Sequence, residues 1–136
     1  MSNSALDDLG KLVLRLTVGI LLLMHGIYKL RYGIGGIEGM LAAKGLPAFF
    51  AWGAYVGEVV APVLLILGFY ARLGGLLAVA NMLVAILLAH MGQLGMVNNM
   101  GGWQLELQGF FLFSGLAVAL MGAGRFSLGG SGGRWN

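Results

Sequence analysis

The sequence predicts an all-α integral membrane protein, a four-helix transmembrane bundle with both termini cytoplasmic. Three observations lead there. Four apolar stretches, 12–28, 48–69, 73–89 and 105–121, share a chain of 136 residues, and a hydrocarbon core of roughly 30 Å is crossed by about 20 apolar helical residues. Hydrophobic residues make up 59% of the chain and charged ones 10%, with a mean hydropathy of +0.89, against about 25% charged residues in a soluble domain. Finally, small residues recur at helical spacing: Gly53, Gly57 and Ala61; Gly74, Ala78, Ala85 and Ala89; Gly115, Ala119 and Gly122. In lipid such stripes let helix backbones approach closely.

At the N-terminus, residues 1–10 are a short polar lead, with Asp7 and Asp8 placed for the positive end of the first helix. Lys11 and Arg15 before an apolar run resemble a secretory signal, but no small-x-small cleavage site comes after it, so the run reads as an uncleaved first span. The loop from Arg31 to Pro47 is rich in glycine, and within it Ile37–Lys44 is expected to form a short interfacial helix with Ile37, Met40 and Leu41 on one side. Gly68 and Arg72 mark a tight turn between the second and third spans. A second loop, His90–Gly102, precedes Trp103, at a depth where interfacial tryptophan is common. Residues 1–128 thus form one transmembrane domain, and the Gly/Ser-rich residues 129–136 read as a disordered tail.

Charge and composition exclude several classes. The net charge is +3, and Lys and Arg are scattered rather than clustered, so no nucleic-acid surface is expected. There is no cysteine, which removes thiolate-held iron–sulfur clusters, c-type haem attachment and disulfides. With both termini inside, the cytoplasmic side carries Lys11, Arg15, Arg72, Arg125 and Arg134, and the outer side Lys29, Arg31 and Lys44. The positive-inside rule favours that orientation.

Glu58 stands near the middle of the second span, beside Gly57 and on the small-residue side. A carboxylate at that depth needs a protein-facing position and a partner. Pro62, four residues on, cannot donate to the Glu58 carbonyl, so one place offers both a carboxylate and a free carbonyl oxygen. Helix one supplies candidate partners: Arg15, His25 and Lys29 fall within an arc of about 80°, with Arg15 and Lys29 roughly 21 Å apart along the axis. Two readings stay open for Glu58, a structural ion pair and a proton-handling or ligand-binding group. His25 is likewise either a buried neutral histidine bonded to a carbonyl or a proton carrier, and Arg15 and Lys29 could each snorkel to their own interface.

Glu106 opens the last helix and suits the helix dipole there; Gln108 is about 200° around from it, so the two do not share a face. Asn81, on the small-residue stripe, suits an interhelical hydrogen bond. His25 and His90 lie at similar depth, as a bis-histidine haem requires, but at 100° per residue His90 points nearly opposite Asn81. Haem b is therefore not expected, nor a metal site, because the ligand spacing is missing.

Several segments together resemble the DoxX family of four-helix bacterial membrane proteins. Arg15 to Leu30 reads Arg-Leu-Thr-Val-Gly-Ile-Leu-Leu-Leu-Met-His-Gly-Ile-Tyr-Lys-Leu. Gly57 and Glu58 come next, then Gly68-Phe-Tyr-Ala-Arg72, Met82 with Ala85, Glu106, and Gly122-Ala-Gly124-Arg-Phe-Ser-Leu. The likeness spans about Leu12 to Leu128. Where the family's closing motif often has an acidic residue, this chain has Gly129. The resemblance implies a multi-pass protein of the bacterial cytoplasmic (inner) membrane. It also implies a link to quinone-coupled oxidation, because one branch serves as a subunit of thiosulfate:quinone oxidoreductase, and to soluble redox partners.

Three functions stand as alternative expectations. The first is a membrane subunit or partner in quinone-linked oxidoreduction, with Glu58, His25 and Lys29 as catalytic candidates and Arg15, Arg72, Glu106 and His90 as binding candidates. The second is a small proton-coupled transporter, which with four helices would act as an oligomer. The third is a non-catalytic anchor for a soluble redox enzyme. The expected surroundings are the lipid bilayer, further copies of the chain, a quinone and a soluble oxidoreductase partner, with no covalently bound cofactor.

Overall fold

A computed structural model describes residues 2–136; Met1, the first residue of the expected lead, lies outside the described residues. The described chain is helical, its extended pairing limited to an isolated bridge between Val97 and Trp103. We number the helices α1 (Asn3–Tyr32), α2 (Gly35–Ala43), α3 (Ala48–Leu67), α4 (Ala71–Gln93) and α5 (Glu106–Met121). Three of them, α1, α3 and α4, are long and apolar enough to cross a membrane; α5 is apolar and shorter.

α1 runs well past the expected 12–28 at both ends, and its 30 residues measure about 45 Å. Ser2 accepts a hydrogen bond from the Ala5 amide and so caps the helix one turn before the aspartates. Asp7 and Asp8 therefore do not occupy the first turn; Asp8 instead pairs with Arg125 at 3.4 Å. That pair holds the start of α1 against the segment after α5, so both chain ends lie at one end of the bundle.

Glycines set the packing. A methyl group on Gly19 would stand 2.7 Å from Ile66, and one on Gly26 would run into the Glu58 carbonyl, so α1 and α3 touch backbone to backbone. Gly57 packs on Asn81 and Gly74 on Ala61, joining α3 to α4. Gly75 faces the Gly115 carbonyl, joining α4 to α5. In each pair of helices the start of one meets the end of the other, so successive long helices run antiparallel. Val18, Leu22, Leu65, Ala78, Met82, Phe111 and Val118 fill the core between them. The outside is apolar as well: Ile20, Ile27, Phe110, Phe113 and Leu120 all stand exposed, a surface suited to hydrocarbon, where helices satisfy their own backbone groups.

α3 ends at Gly68, whose φ of 68° closes the helix in the left-handed conformation. The first amides of α4 would otherwise lack acceptors. The tail supplies them: the Asn136 side-chain oxygen accepts from Ala71 at 2.9 Å, and the Trp135 carbonyl accepts from Arg72 at 2.9 Å. Leu128 and Gly129 also donate to the carbonyls of Leu67 and Gly68. Residues 129–136, expected to be disordered from their composition, thus fold back over the α3–α4 turn, because that turn leaves donors that water cannot reach.

Gly26→Ala should lower the thermal midpoint in detergent by an amount equivalent to about 1–3 kcal/mol, the usual cost of overpacking. Gly10→Ala, where the added methyl meets no atom within 4 Å, should leave it unchanged. Equal midpoints for both variants would show that the α1–α3 contact is looser than described.

Candidate ligand cavity

The bundle closes where glycines meet and parts where they run out. Beyond the Gly57–Asn81 crossing, toward α2, the helices separate around a cavity of about 830 Å³. Its wall is apolar except for His25, Lys29, Glu58, Asn81, His90 and Gln108. α2 lies across this end, and Ile37, Met40 and Leu41 face the cavity from it. The short helix expected in the first loop is therefore formed, with its apolar side turned inward.

Two local irregularities lie on the wall. α3 widens to a π turn over Val56–Val60, and α4 does so over Ile86–His90. The Pro62 ring removes the amide that would normally bond the Glu58 carbonyl, and α3 relaxes just before it. The carbonyl so freed faces Gly26 of α1, where the absent side chain makes room. The Glu58 carboxylate, with the residue only 7% exposed, accepts a hydrogen bond from Lys29 Nζ at 2.8 Å. Tyr55 Oη donates to the Lys29 carbonyl at 3.3 Å, tying α3 to the last turn of α1. The partner expected for Glu58 from the first helix is thus Lys29.

His25 lies one turn below Lys29 on the cavity wall, edge-on to Phe111 with ring centroids 5.6 Å apart. His90 also lines the cavity, contrary to its expected direction. The π turn adds one residue to a helical turn and swings the residues after it by about 100°. His90 is thereby brought toward the face that Asn81 occupies. Its Nδ1 is 2.9 Å from Gln93 Oε1, and its Nε2 is 3.5 Å from the Gln108 amide nitrogen. Helix phase therefore does not keep the two histidines apart. Asn81, expected to make an interhelical hydrogen bond, and Gln108, given no role beyond its offset from Glu106, join the wall; the signal available was a side-chain amide within an apolar span.

The other candidates lie elsewhere. Arg15, expected as a binding group or a snorkelling cation, points inward and is 1% exposed. Its guanidinium donates to the carbonyls of Leu65 (2.8 Å) and Ile66 (3.0 Å) and to that of Phe126 (2.6 Å). Leu65 and Ile66 stand in the last turn of α3, where carbonyls find no amide donor within the helix. Arg72, also expected to bind a ligand, does the same for α5, donating to Ala119 (3.2 Å) and Leu120 (2.8 Å). Both arginines close the end of the bundle that carries the termini. Glu106 is exposed, and its carboxylate packs near Gly102 instead of entering the cavity. The 200° offset from Gln108 therefore separates a wall residue from an outside one. Among the described residues no three His, Asp or Glu side chains gather to hold a metal ion.

Arg15→Lys should destabilise the fold, by about 1–3 kcal/mol for each buried carbonyl left without a donor. A single ammonium cannot span the three acceptors that the planar fork reaches; a wild-type thermal midpoint for this variant would count against that role. A reduced-minus-oxidised spectrum of the purified protein should be flat, because His25 stacks against Phe111 and His90 Nε2 faces Gln108. A split Soret band would instead mean that both rings turn to iron.

Comparison with known proteins bears on 10–91, the part that carries the Lys29–Glu58 pair. The model of the DoxX family matches those residues. A Bacillus subtilis (strain 168) protein named "Putative oxidoreductase CatD" is 31% identical over 80 residues, 59% of this chain. The chain spans 59% of that relative's length. No solved structure matches significantly. With the family match covering the α1–α3 and α3–α4 glycine crossings, the ion pair and the π turns alike, the chain belongs to the DoxX family.

Proposed function

We propose that the protein is a four-span component of quinone-linked oxidoreduction in the bacterial inner membrane, and that the cavity receives the quinone headgroup. One observation carries this: an ion pair stands on the wall of an otherwise apolar cavity, where stability alone gives it little reason to be. Desolvating two ions costs several kcal/mol each, and well-packed apolar replacements of buried pairs are often neutral or stabilising. A cavity of about 830 Å³ falls within the roughly 300–1,000 Å³ usual for small-molecule sites, which are likewise apolar with a few placed polar groups.

The donors suit a ligand with an acceptor at each end. Lys29 and His25 stand on α1, while His90 and Gln108 stand on α4 and α5. Reducing a quinone takes two electrons and two protons. Lys29 and His25 are positioned to hold and pass protons, and Glu58 orients Lys29. The electrons would come from a soluble oxidoreductase partner, which accords with the name of the Bacillus relative. Both termini are assigned to the cytoplasm, where Arg15, Arg72 and Arg125 gather; Lys29, Arg31 and Lys44 fall at the α2 end.

Titration with a short-chain benzoquinone in detergent tests the proposal. Wild-type protein should bind it, and Glu58→Gln should weaken binding at least tenfold. A variant that melts lower yet binds as tightly as wild type would make the pair purely structural, and no binding by wild type would end the quinone assignment.

A further inference from the structure

Cavity residues are expected to be hidden from the outside of a bundle, yet several of this wall are exposed, His25, Leu46, Ala89 and Leu107 among them, and six others form two regular stripes. On α3, Phe50, Gly53 and Val56 line the cavity and are exposed; on α4, Ala80, Val84 and Leu87 do the same. Each set is spaced three or four residues apart, so each is one face of one helix. The two stripes belong to neighbouring helices that meet at Gly57 and Asn81 and part beyond. Below, that crossing closes the gap. Above, α2 closes it, with Leu41 and Ala51 buried together and Leu88 packed on them. Between these limits is a side slot about 9 Å tall, taken from the rise over residues 50–56.

We infer that this slot is a lateral opening to the bilayer, through which a membrane-dissolved ligand inserts its headgroup while its apolar chain stays among the lipid tails. The chemistry of the slot fits a hydrocarbon chain: all six residues that frame it are apolar or glycine. The Lys29–Glu58 pair lies deeper, with Glu58 buried and Lys29 half-buried, while His25 lines the cavity from α1 and is exposed. A ligand reaching the pair from lipid therefore meets apolar walls first and the pair last, the order in which an isoprenoid quinone would present its two ends. That choice of ligand rests on the function proposed above; the opening itself does not. At the other end of the bundle, Arg15 and Arg72 seal the helix ends against carbonyls, and Leu22 and Leu65 are fully buried, so that end is closed to a ligand.

The chain has no cysteine, so a single introduced thiol reports access cleanly. Ala85→Cys places one on the α4 wall of the cavity. In proteoliposomes it should react with a long-alkyl maleimide dissolved in the bilayer. Adding Gly53→Trp should slow that reaction at least tenfold, because a side chain at Gly53 meets no atom within 4 Å and is free to fill the slot. Val84→Trp, on the facing stripe, should do the same and guards against one variant misfolding. Phe110→Trp, exposed on α5, is the control that should change nothing. Unaltered labelling in both slot variants, with native melts, would overturn the lateral opening. A parallel titration with a long-chain quinone separates the opening from its ligand. If labelling is blocked but no quinone binds the wild type, the opening stands and the quinone assignment falls; if quinone binds and labelling is unaffected, the reverse holds.

Discussion

Pro62 has no amide hydrogen, and much of the α2 half of the bundle is arranged around that lack. The helix before it relaxes into a π turn, which leaves a carbonyl of Glu58 short of its usual donor and turns the carboxylate toward α1. Gly26 of α1 packs directly against that carbonyl, since only a residue without a side chain lets α1 come near enough. Once α1 is drawn in there, Lys29, one turn further on, arrives at the carboxylate. A proline, a glycine and an ion pair on two helices are thus one device, and a change to any of them disturbs the others.

The two ends of the bundle solve opposite problems. At the end with the termini, helices stop within a tightly packed interior, and their final carbonyls need donors that water cannot bring. Arg15 and Arg72 each reach across to a neighbouring helix and supply them, and the folded-back tail serves the amides at the start of α4. That end is therefore closed. At the α2 end the caps are lighter, Tyr55 donating to the Lys29 carbonyl and Trp103 to that of Leu94. The close glycine contacts end, the helices separate, and the polar groups lie around a cavity instead of within a packed core. The same pattern that builds a firm base leaves a space above it.

Within that space the polar groups are few and placed. Lys29 and Glu58 neutralise one another, so the cavity carries the components of a charge pair without a net charge. A pair like this is weak evidence of stability and better evidence of a task. Membership of the DoxX family fixes the class of protein but not the reaction, because sites and not folds carry chemistry. The chemistry here is narrowed by the combination of apolar walls, a few donors carried on α1, α4 and α5, and the inferred opening on the lipid-facing side.

The three long apolar helices, the existence of the short helix and a basic partner for Glu58 on the first helix could be read from residue order, because hydropathy, glycine spacing and the cost of an unpaired charge in lipid act locally or nearly so. Gln108 could be told apart from Glu106 by helical phase alone, since α5 is regular. His90 could not be placed, because a π turn resets the phase and leaves no composition mark. Nor could Arg15 and Arg72 be recognised as caps. A cation near a helix end reads the same whether it turns outward to an interface or inward to another helix's carbonyls, and only the docking of that second helix decides. The tail's glycines and serine likewise suggest freedom, until the α3–α4 turn offers unsatisfied amides beside it. Residue order by itself determined which segments must leave water and which charge must find a partner; the tertiary structure alone decided where the closed and open ends fall, because that depends on which backbones come within touching distance.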